Sequence, residues 1–310
     1  MPDHPSPPTV THRRMVTEDM IDHLGHMNVR YYGECARAGS AAALERAGLD
    51  ADGLHLLDVY TRHHREQLVG ASLAVRSSVV DVDPDRAGLR LHHELVNTDD
   101  GSVAATFVHR FRAGDDAGSD TPNGAVDPDA VDAALGPATG VPEHGRPRSI
   151  AIDTALTPPP LAVVRDRGLA RRLERTVTRE ECEADGSVRW DAMPMLTWGG
   201  EPVDGREMEH LHQGPNGERM GWATMETRIT LHRRARLGDR IQAFGAAVDI
   251  RDKTTTHVQW AYHLDDAEPL VSFQVVNLAF DIGARRALSI PDRLRRREDR
   301  TLHPDLGGAG

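Results

Sequence analysis

The stretch Ile21-Asp22-His23-Leu24-Gly25-His26-Met27-Asn28-Val29-Arg30-Tyr31-Tyr32-Gly33-Glu34-Cys35-Ala36-Arg37 decides the reading of this chain. It gathers an Asp, a Gly, a His and an Asn ahead of a segment with helical character. Asn28 to Leu49 lacks proline, is rich in alanine and stops at Gly48, so it is predicted to be a helix. Gly39 and Ala41-Ala42-Ala43 are small enough for that helix to approach a sheet closely. Gly25 lets the chain turn tightly into it. A carboxylate is thereby set beside a helix N-terminus, whose free N–H groups polarise a carbonyl or hold an oxyanion. Asp22 then suits a nucleophile or a general base acting on water. Asp and Asn ahead of a helix also serve as ordinary caps, and the residues alone leave that reading standing.

Strands follow the helix. Leu73 to Val82 alternates partly with a period of two, Gly88 to Val96 and Val103 to Phe111 continue the pattern, and Asn97 to Gly101 reads as a hairpin turn. The pattern then recurs. At a constant offset Gly70 falls on Gly238, His64 on His232, Leu73 on Ile241, Val80 on Val248, Val82 on Ile250 and Val103 on Val271. Chance apolar matches drift in phase, so a constant offset over this length reads as a duplicated domain. The second set of strands is expected at Met225–His232, Arg240–Ile250, His257–Leu264 and Leu270–Phe280, with a turn at Asp265–Pro269. One helix and then an antiparallel sheet, twice, is an α+β pattern, because a parallel doubly wound sheet needs a helix between most strands. The expected division is a first domain over 1–115, a Gly-, Asp-, Pro- and Ala-rich linker over 116–160, a second domain over 161–300 and a flexible tail over 301–310.

Composition narrows the function classes. At 39% hydrophobic residues there is material for a core, which argues against wholesale disorder. A net charge of −11 argues against a general nucleic-acid partner, which needs a basic face. Cys35 and Cys182 form neither a disulfide framework nor a Cys-x-x-Cys metal pair, and both are expected as buried reduced thiols. No apolar stretch approaches the ~18 residues of a membrane helix, and no secretory leader is visible, so a cytoplasmic location is expected. His63-His64 and His92-His93 are neighbours on predicted strands, so each pair points to opposite faces and does not suit one metal. No metal is expected. Glu209-His210-Leu211-His212, inside a polar insertion over 199–221, reads as an exposed loop. Arg233-Arg234, Arg236 and Arg285-Arg286 suit either solvated strand ends or phosphate contacts.

The run from Asp22 to Asn28 resembles the Asp-x-x-Gly-His-x-Asn signature of the 4-hydroxybenzoyl-CoA thioesterase-like branch of the hot-dog fold. Tyr31-Tyr32-Gly33-Glu34, with Ala36-Arg37, is similar to that family's helix, and Leu237-Gly238-Asp239 to its entry into the long central strand; the first half has Ala71 where that Asp would stand. The resemblance implies a double hot-dog, two tandem units that are each a long helix wrapped by an antiparallel sheet. As a covalent pseudo-dimer the chain would act as a monomer or as a homodimer of it, with the active site at the seam of the halves. The implied activity is hydrolysis of an acyl thioester carried by coenzyme A or acyl carrier protein, with no cofactor beyond the coenzyme A of the substrate. Asp22, with His26 and Asn28, takes the catalytic role. Gly25, Val29, Arg30 and Tyr31 take substrate binding through the amides around Asn28 to Tyr31. The alternatives are a non-catalytic acyl-binding or interaction module of the same fold, or a hot-dog dehydratase or hydratase, whose motifs are not found. The opening also resembles thioesterase domains acting on betainyl-CoA, but a quaternary ammonium wants an aromatic cage and only 4% of residues are aromatic, so a simple aliphatic acyl group ranks first. At a second offset Asp22 falls on Glu183, Gly25 on Gly186, His26 on Ser187 and Asn28 on Arg189. The carboxylate survives and the His and Asn do not, so one strong site is expected, with Glu183 marking a degenerate one.

Overall fold

The computed structural model describes residues 8–22, 24–49, 54–83, 88–113, 126–154, 156–198, 212–299 and 302–307. They divide into two compact units, Met1–Arg146 and Pro147–Gly310. No helix among the described residues is long and apolar enough to cross a membrane.

The first unit runs β1 (Thr9–Met15), α1 (Val29–Arg46), β2 (Leu54–His63), β3 (Ser72–Asp83), β4 (Gly88–Asn97), β5 (Val103–Ala113) and α2 (Pro128–Leu135). Its strands are ordered β1-β3-β4-β5-β2, every pair antiparallel. In α1 the buried positions are Tyr31, Tyr32, Cys35, Ala36, Gly39, Ser40, Ala43 and Leu44, spaced three and four apart, so one stripe faces the sheet. Gly39 sets the approach. A Cβ there would stand 2.5 Å from Val75 Cγ1.

The linker expected over 116–160 is built into the units wherever it is described. Asp127 caps α2 by accepting from the Asp129 N–H, Gly136 closes it with φ 85°, and Val126, Val131 and Leu135 join a core with Ala43, Leu44, Leu91 and Phe111. A short, well-capped helix with only a few apolar anchors is hard to see in Pro- and Asp-rich composition. Farther on, the N–H groups of Arg148, Ser149 and Ile150 all donate to Glu226 Oε2, at 3.2, 3.1 and 3.4 Å.

The second unit runs α3 (Leu161–Asp166), β6 (Ala170–Thr176), α4 (Met195–Trp198), β7 (His212–Gln213), β8 (Arg219–Leu231), β9 (Arg240–Ile250), β10 (Thr254–His263), β11 (Pro269–Asp281), β12 (Arg286–Ala287) and α5 (Asp292–Asp299). Its strand order β6-β9-β10-β11-β8 repeats that of the first unit, with β12 beside β11 and β7 beside β8. Leu161 and Val164 pack on Phe244, Trp260 and Tyr262. The tail expected to be loose is docked over 302–307. Leu302 bridges Ala247, the His303 N–H donates to Ala247 O at 2.7 Å, and Arg167 pairs with Asp305. The long helix expected in this unit is not seen among the described residues. A 3-10 turn at Trp190–Ala192 and then α4 stand at the matching place, and residues 199–211, including Glu209, His210 and Leu211, lie outside them.

The duplication is written into backbone detail. Gly25 and Gly186 both have φ 85°, and Gly70 and Gly238 have φ 87° and 88°. Ile21 bridges Met27 as Cys182 bridges Val188. The Asn28 N–H donates to Met20 O and the Arg189 N–H to Glu181 O, both at 2.9 Å. The matching left-handed glycines explain why Gly persists at these four positions while most side chains around them differ.

Candidate active site

The loop between β1 and α1 is held on both sides. The Asp22 N–H donates to His26 O at 2.9 Å and the Gly25 N–H to Asp22 O at 3.0 Å. The Met27 N–H donates to Gln67 O at 2.8 Å, and the Met27 side chain is buried. Inside this frame Asp22 Oδ1 accepts from the Leu24 N–H at 2.8 Å. Asp22 Oδ2 stands 3.4 Å from His26 Nδ1, and His26 Nε2 stands 3.6 Å from Glu66 Oε1. The three side chains form a string of carboxylate, imidazole and carboxylate. Asp22 and His26 keep 15% and 16% of their side-chain surface exposed, so water and substrate can reach them.

The tip of α1 lies next to this string in the chain. Asn28 is its N-cap, accepting from the Arg30 N–H at 3.0 Å through its side chain. The Tyr31 N–H donates to Asn28 O at 3.0 Å and the Asn28 N–H to Met20 O. Of the amides around Asn28 to Tyr31 expected to polarise the carbonyl, three are engaged, those of Arg30 and Tyr31 by Asn28 and that of Asn28 by Met20 O. The first helical residue, Val29, has no intrahelical acceptor for its N–H. Arg30 and Tyr31 engage each other. Arg30 Nη2 donates to the Tyr31 hydroxyl at 3.0 Å, the Arg30 guanidinium lies 4.5 Å from the ring centroid and that of Arg14 lies 5.5 Å away. Tyr31 in turn donates to Asp19 O at 3.1 Å. An aromatic ring already carrying two guanidiniums is poorly placed to bind a third cation.

Tyr32 sits deeper, donating to Arg65 O at 3.1 Å and meeting His63 edge-on at 5.2 Å. Burial, with the Asp22 charge adding to it, pushes the Tyr32 phenol up. Burial and the neighbouring His64 hold His63 down at about 4. Cys35 is fully buried and its thiol is pushed up to about 11 by that burial, so it is no nucleophile here. Cys182 is only half-buried, against expectation, with its Sγ 3.3 Å from Thr178 O.

The structure therefore brings Asp22, Gly25, His26 and Asn28 into one loop. Gly25 makes the turn, Asn28 caps the helix, and Glu66 enters unannounced from the segment after β2. In the second unit the same backbone loop lacks the string. The Glu183 N–H donates to Ser187 O at 2.8 Å, but Ser187 turns to Asp185 Oδ1 at 2.7 Å, and the Arg189 side chain lies 3.5 Å from Asp191. The other candidates have structural partners. His64 Nε2 pairs with Thr106 Oγ1 at 3.1 Å and His232 Nε2 with Ser272 Oγ at 2.8 Å. Arg233 is salt-bridged to Asp266 at 2.6 Å, Arg286 lies 3.7 Å from Asp281, and Arg285 covers Phe280. His212 stacks edgewise on Trp222. Among the described residues no group of three or more His, Cys, Asp or Glu is arranged to hold a metal ion.

Residues 15–135 match the model of the thioesterase-like superfamily. The solved structures that resemble the chain extend the likeness beyond these residues. A 12:0-acyl-carrier-protein thioesterase from Umbellularia californica matches with TM-score 0.62 and 10% identity, over 86% of this chain and 93% of that one. A protein from Lactobacillus plantarum, named as a candidate oleoyl thioesterase, matches with TM-score 0.60 and 12% identity over 92% and 97%. An acyl-carrier-protein thioesterase from Bacteroides thetaiotaomicron matches with TM-score 0.58 and 12% identity over 86% and 96%. At these identities the likeness is one of fold, and the antiparallel sheets with few helices fit the hot-dog thioesterase fold. A sequence comparison with curated proteins finds no match. The matched residues contain the whole loop from Asp22 to Asn28, Glu66 and all of α1.

Proposed function

We propose that this chain hydrolyses an acyl thioester carried by coenzyme A or an acyl carrier protein, and that it is a double hot-dog whose first unit holds the working site. The carboxylate–imidazole–carboxylate string Asp22–His26–Glu66, beside the tip of α1 in the residues that match the thioesterase-like superfamily, carries this reading. Asp22 is assigned as general base. Its Oδ1 is occupied by the Leu24 N–H, which leaves Oδ2 to take a proton from water. The water oxygen adds to the thioester carbonyl carbon, and the negative charge that develops on the carbonyl oxygen is met by the Val29 N–H and the positive end of α1. Collapse of the tetrahedral species breaks the C–S bond, and the proton held by Asp22 passes to the departing thiolate. His26, fixed between Asp22 and Glu66, orients the base. With two guanidiniums already on Tyr31, that ring offers no cage for a betainyl group, and an uncharged acyl group is the better fit.

Release of free thiol from a panel of acyl-CoA and acyl-carrier-protein substrates tests the reading. Asp22→Asn keeps the shape and removes the base, so turnover should fall on the order of 10²-fold or more. Activity within a few-fold of the parent would sink the assignment. Single turnover in ¹⁸O-water separates the two roles left to a carboxylate. Label confined to the product acid supports the general base, whereas label in the Asp22 side chain means direct attack and an anhydride intermediate.

A further inference from the structure

Beneath α1 lies a chain of hydroxyls and imidazoles that the proposed reaction does not use. Thr11 Oγ1 and Ser77 Oγ are 2.7 Å apart, and Ser77 Oγ meets His93 Nδ1 at 2.7 Å. Ser40 Oγ meets His93 Nε2 at 2.8 Å and His109 Nδ1 at 2.5 Å. The two imidazole rings are 4.6 Å apart between centroids. Ser40, Ser77, His93 and His109 are all fully buried. One side chain of α1 is thus tied directly to β4 and β5, and through His93 and Ser77 to β3 and β1.

From Cys35 onward the rest of the buried stripe of α1 is small or apolar, Cys35, Ala36, Gly39, Ala43 and Leu44, and the other buried hydrogen-bonding side chains are Tyr31 and Tyr32 in its first turn. Apolar contacts are non-directional and tolerate small rotations and slips, whereas hydrogen bonds fix an angle. Ser40 lies about 18 Å along the helix from Asn28 at about 1.5 Å per residue. A small rotation or tilt there moves the tip by a distance that catalysis feels, since displacements of about 1 Å cost up to about 10²-fold in rate.

We propose that the Ser40–His93–His109 clasp is a positioning device that seats α1, and with it Asn28 and the Val29 N–H, against Asp22. This rests on the thioesterase reading above. The clasp works with neutral imidazoles. Each neutral ring donates from one nitrogen and accepts at the other, so with three rotatable hydroxyls the donors run in one direction through the chain. Among ionisable groups, the two rings act on each other, and His92 acts on both from the other face of β4. The bonds linking the clasp members run to hydroxyls, with no carboxylate in the chain to share an added proton. Burial keeps His109 down at about 3 and His93 well below its ordinary value. Protonation of either ring sets a buried cation beside the other and releases the helix.

The test uses the full chain and two readouts, kcat and KM for acyl-thioester hydrolysis from about pH 5 to 9 and backbone hydrogen exchange along α1. Ser40→Ala should lower kcat about tenfold with KM within about threefold, and raise exchange in the first two turns of α1 while β8 to β11 stay protected. His109→Asn keeps a polar atom where Nδ1 stands. It should recover most of the kcat lost in His109→Leu and restore protection at the tip of α1. If Ser40→Ala keeps the parent kcat per folded molecule, or leaves exchange at the tip of α1 unchanged, the clasp is only core packing and the proposal is overturned. If the parent chain turns over no acyl thioester, the functional reading fails, and exchange at the tip still decides the clasp.

Discussion

Asp22 and Asn28 share one short motif and come out with different work. Asn28 spends its side chain on the Arg30 N–H, as a capping residue does, while Asp22 spends one oxygen on its own turn and aims the other at His26. Sequence showed the cluster because its members are contiguous. It could not show which N–H groups the cap consumes, since that depends on the backbone angles at Asn28. Glu66 was illegible for a different reason. It follows β2 at a distance in the chain and meets His26 only because Met27 pairs with Gln67. Its role can be checked at the same scale. With Glu66 removed, His26 loses the partner at Nε2 and the ring is free to turn away from Asp22. Glu66→Ala should lower kcat about tenfold with little change in KM, and Glu66→Gln, which keeps an oxygen acceptor, should lose less. Equal kcat in all three proteins would remove Glu66 from the site.

At the scale of elements, α1 was legible because small and apolar residues recur on one face and Gly48 ends it, and six of the strands after it, β3, β4, β5, β9, β10 and β11, were found within three residues of their ends, while β8 starts six residues before the expected Met225. The missed strands have physical reasons. β1 reads Thr-Val-Thr-His-Arg-Arg-Met, a strand paired on one side with little apolar alternation, and β2 breaks its own alternation with a bulge between Leu56 and Asp58. The packing of α1 makes a prediction that helix propensity alone would reverse. Ala for Gly in a helix interior gains about 1 kcal/mol. At Gly39 the added Cβ would stand 2.5 Å from Val75 Cγ1, 3.1 Å from Val75 Cβ and 3.2 Å from Thr11 Oγ1. Val75 is β-branched and stiff, so it cannot swing aside cheaply. Overpacking of this kind costs about 1–3 kcal/mol, and Gly39→Ala should therefore be net destabilising by about 1 kcal/mol in urea unfolding. Val75→Ala alone leaves a void, but the double variant should show favourable coupling because each change relieves the other. Additive effects would mean that the helix rides higher on the sheet than described.

For the molecule as a whole, the constant offset made the duplication visible, yet the halves have diverged in what they bury. The first unit encloses His92, His93 and His109 at 1% exposure or less. In the second, His232 is held down by burial, to about 4, while His257 and His263 face Glu298, Asp239 and Asp266. Burial lowers His92 to about 4 and His109 to about 3, and holds His93 well down. An unfolded histidine titrates near 6.5, so between that value and the folded values the unfolded state binds more protons. The stability these three groups protect is complete above about pH 6.5 and is lost as pH falls toward their folded values. With about 1.4 kcal/mol per pH unit for each, three buried imidazoles give a slope of about 4 kcal/mol per pH unit near pH 5. Against a typical stability of about 5–15 kcal/mol, that slope is decisive within a few units. The Arg233 hydrogen bond holds Asp266 at about 2, far below this window, so it plays no part in it. The first unit should accordingly open on mild acidification while the second remains folded. Hydrogen exchange of peptides from 29–46 and 88–113, compared with 240–281 at about pH 5 and corrected for intrinsic rates, should show the first set losing protection earlier. Simultaneous loss, or earlier loss in the second unit, would mean that the buried imidazoles do not set the acid limit of the fold.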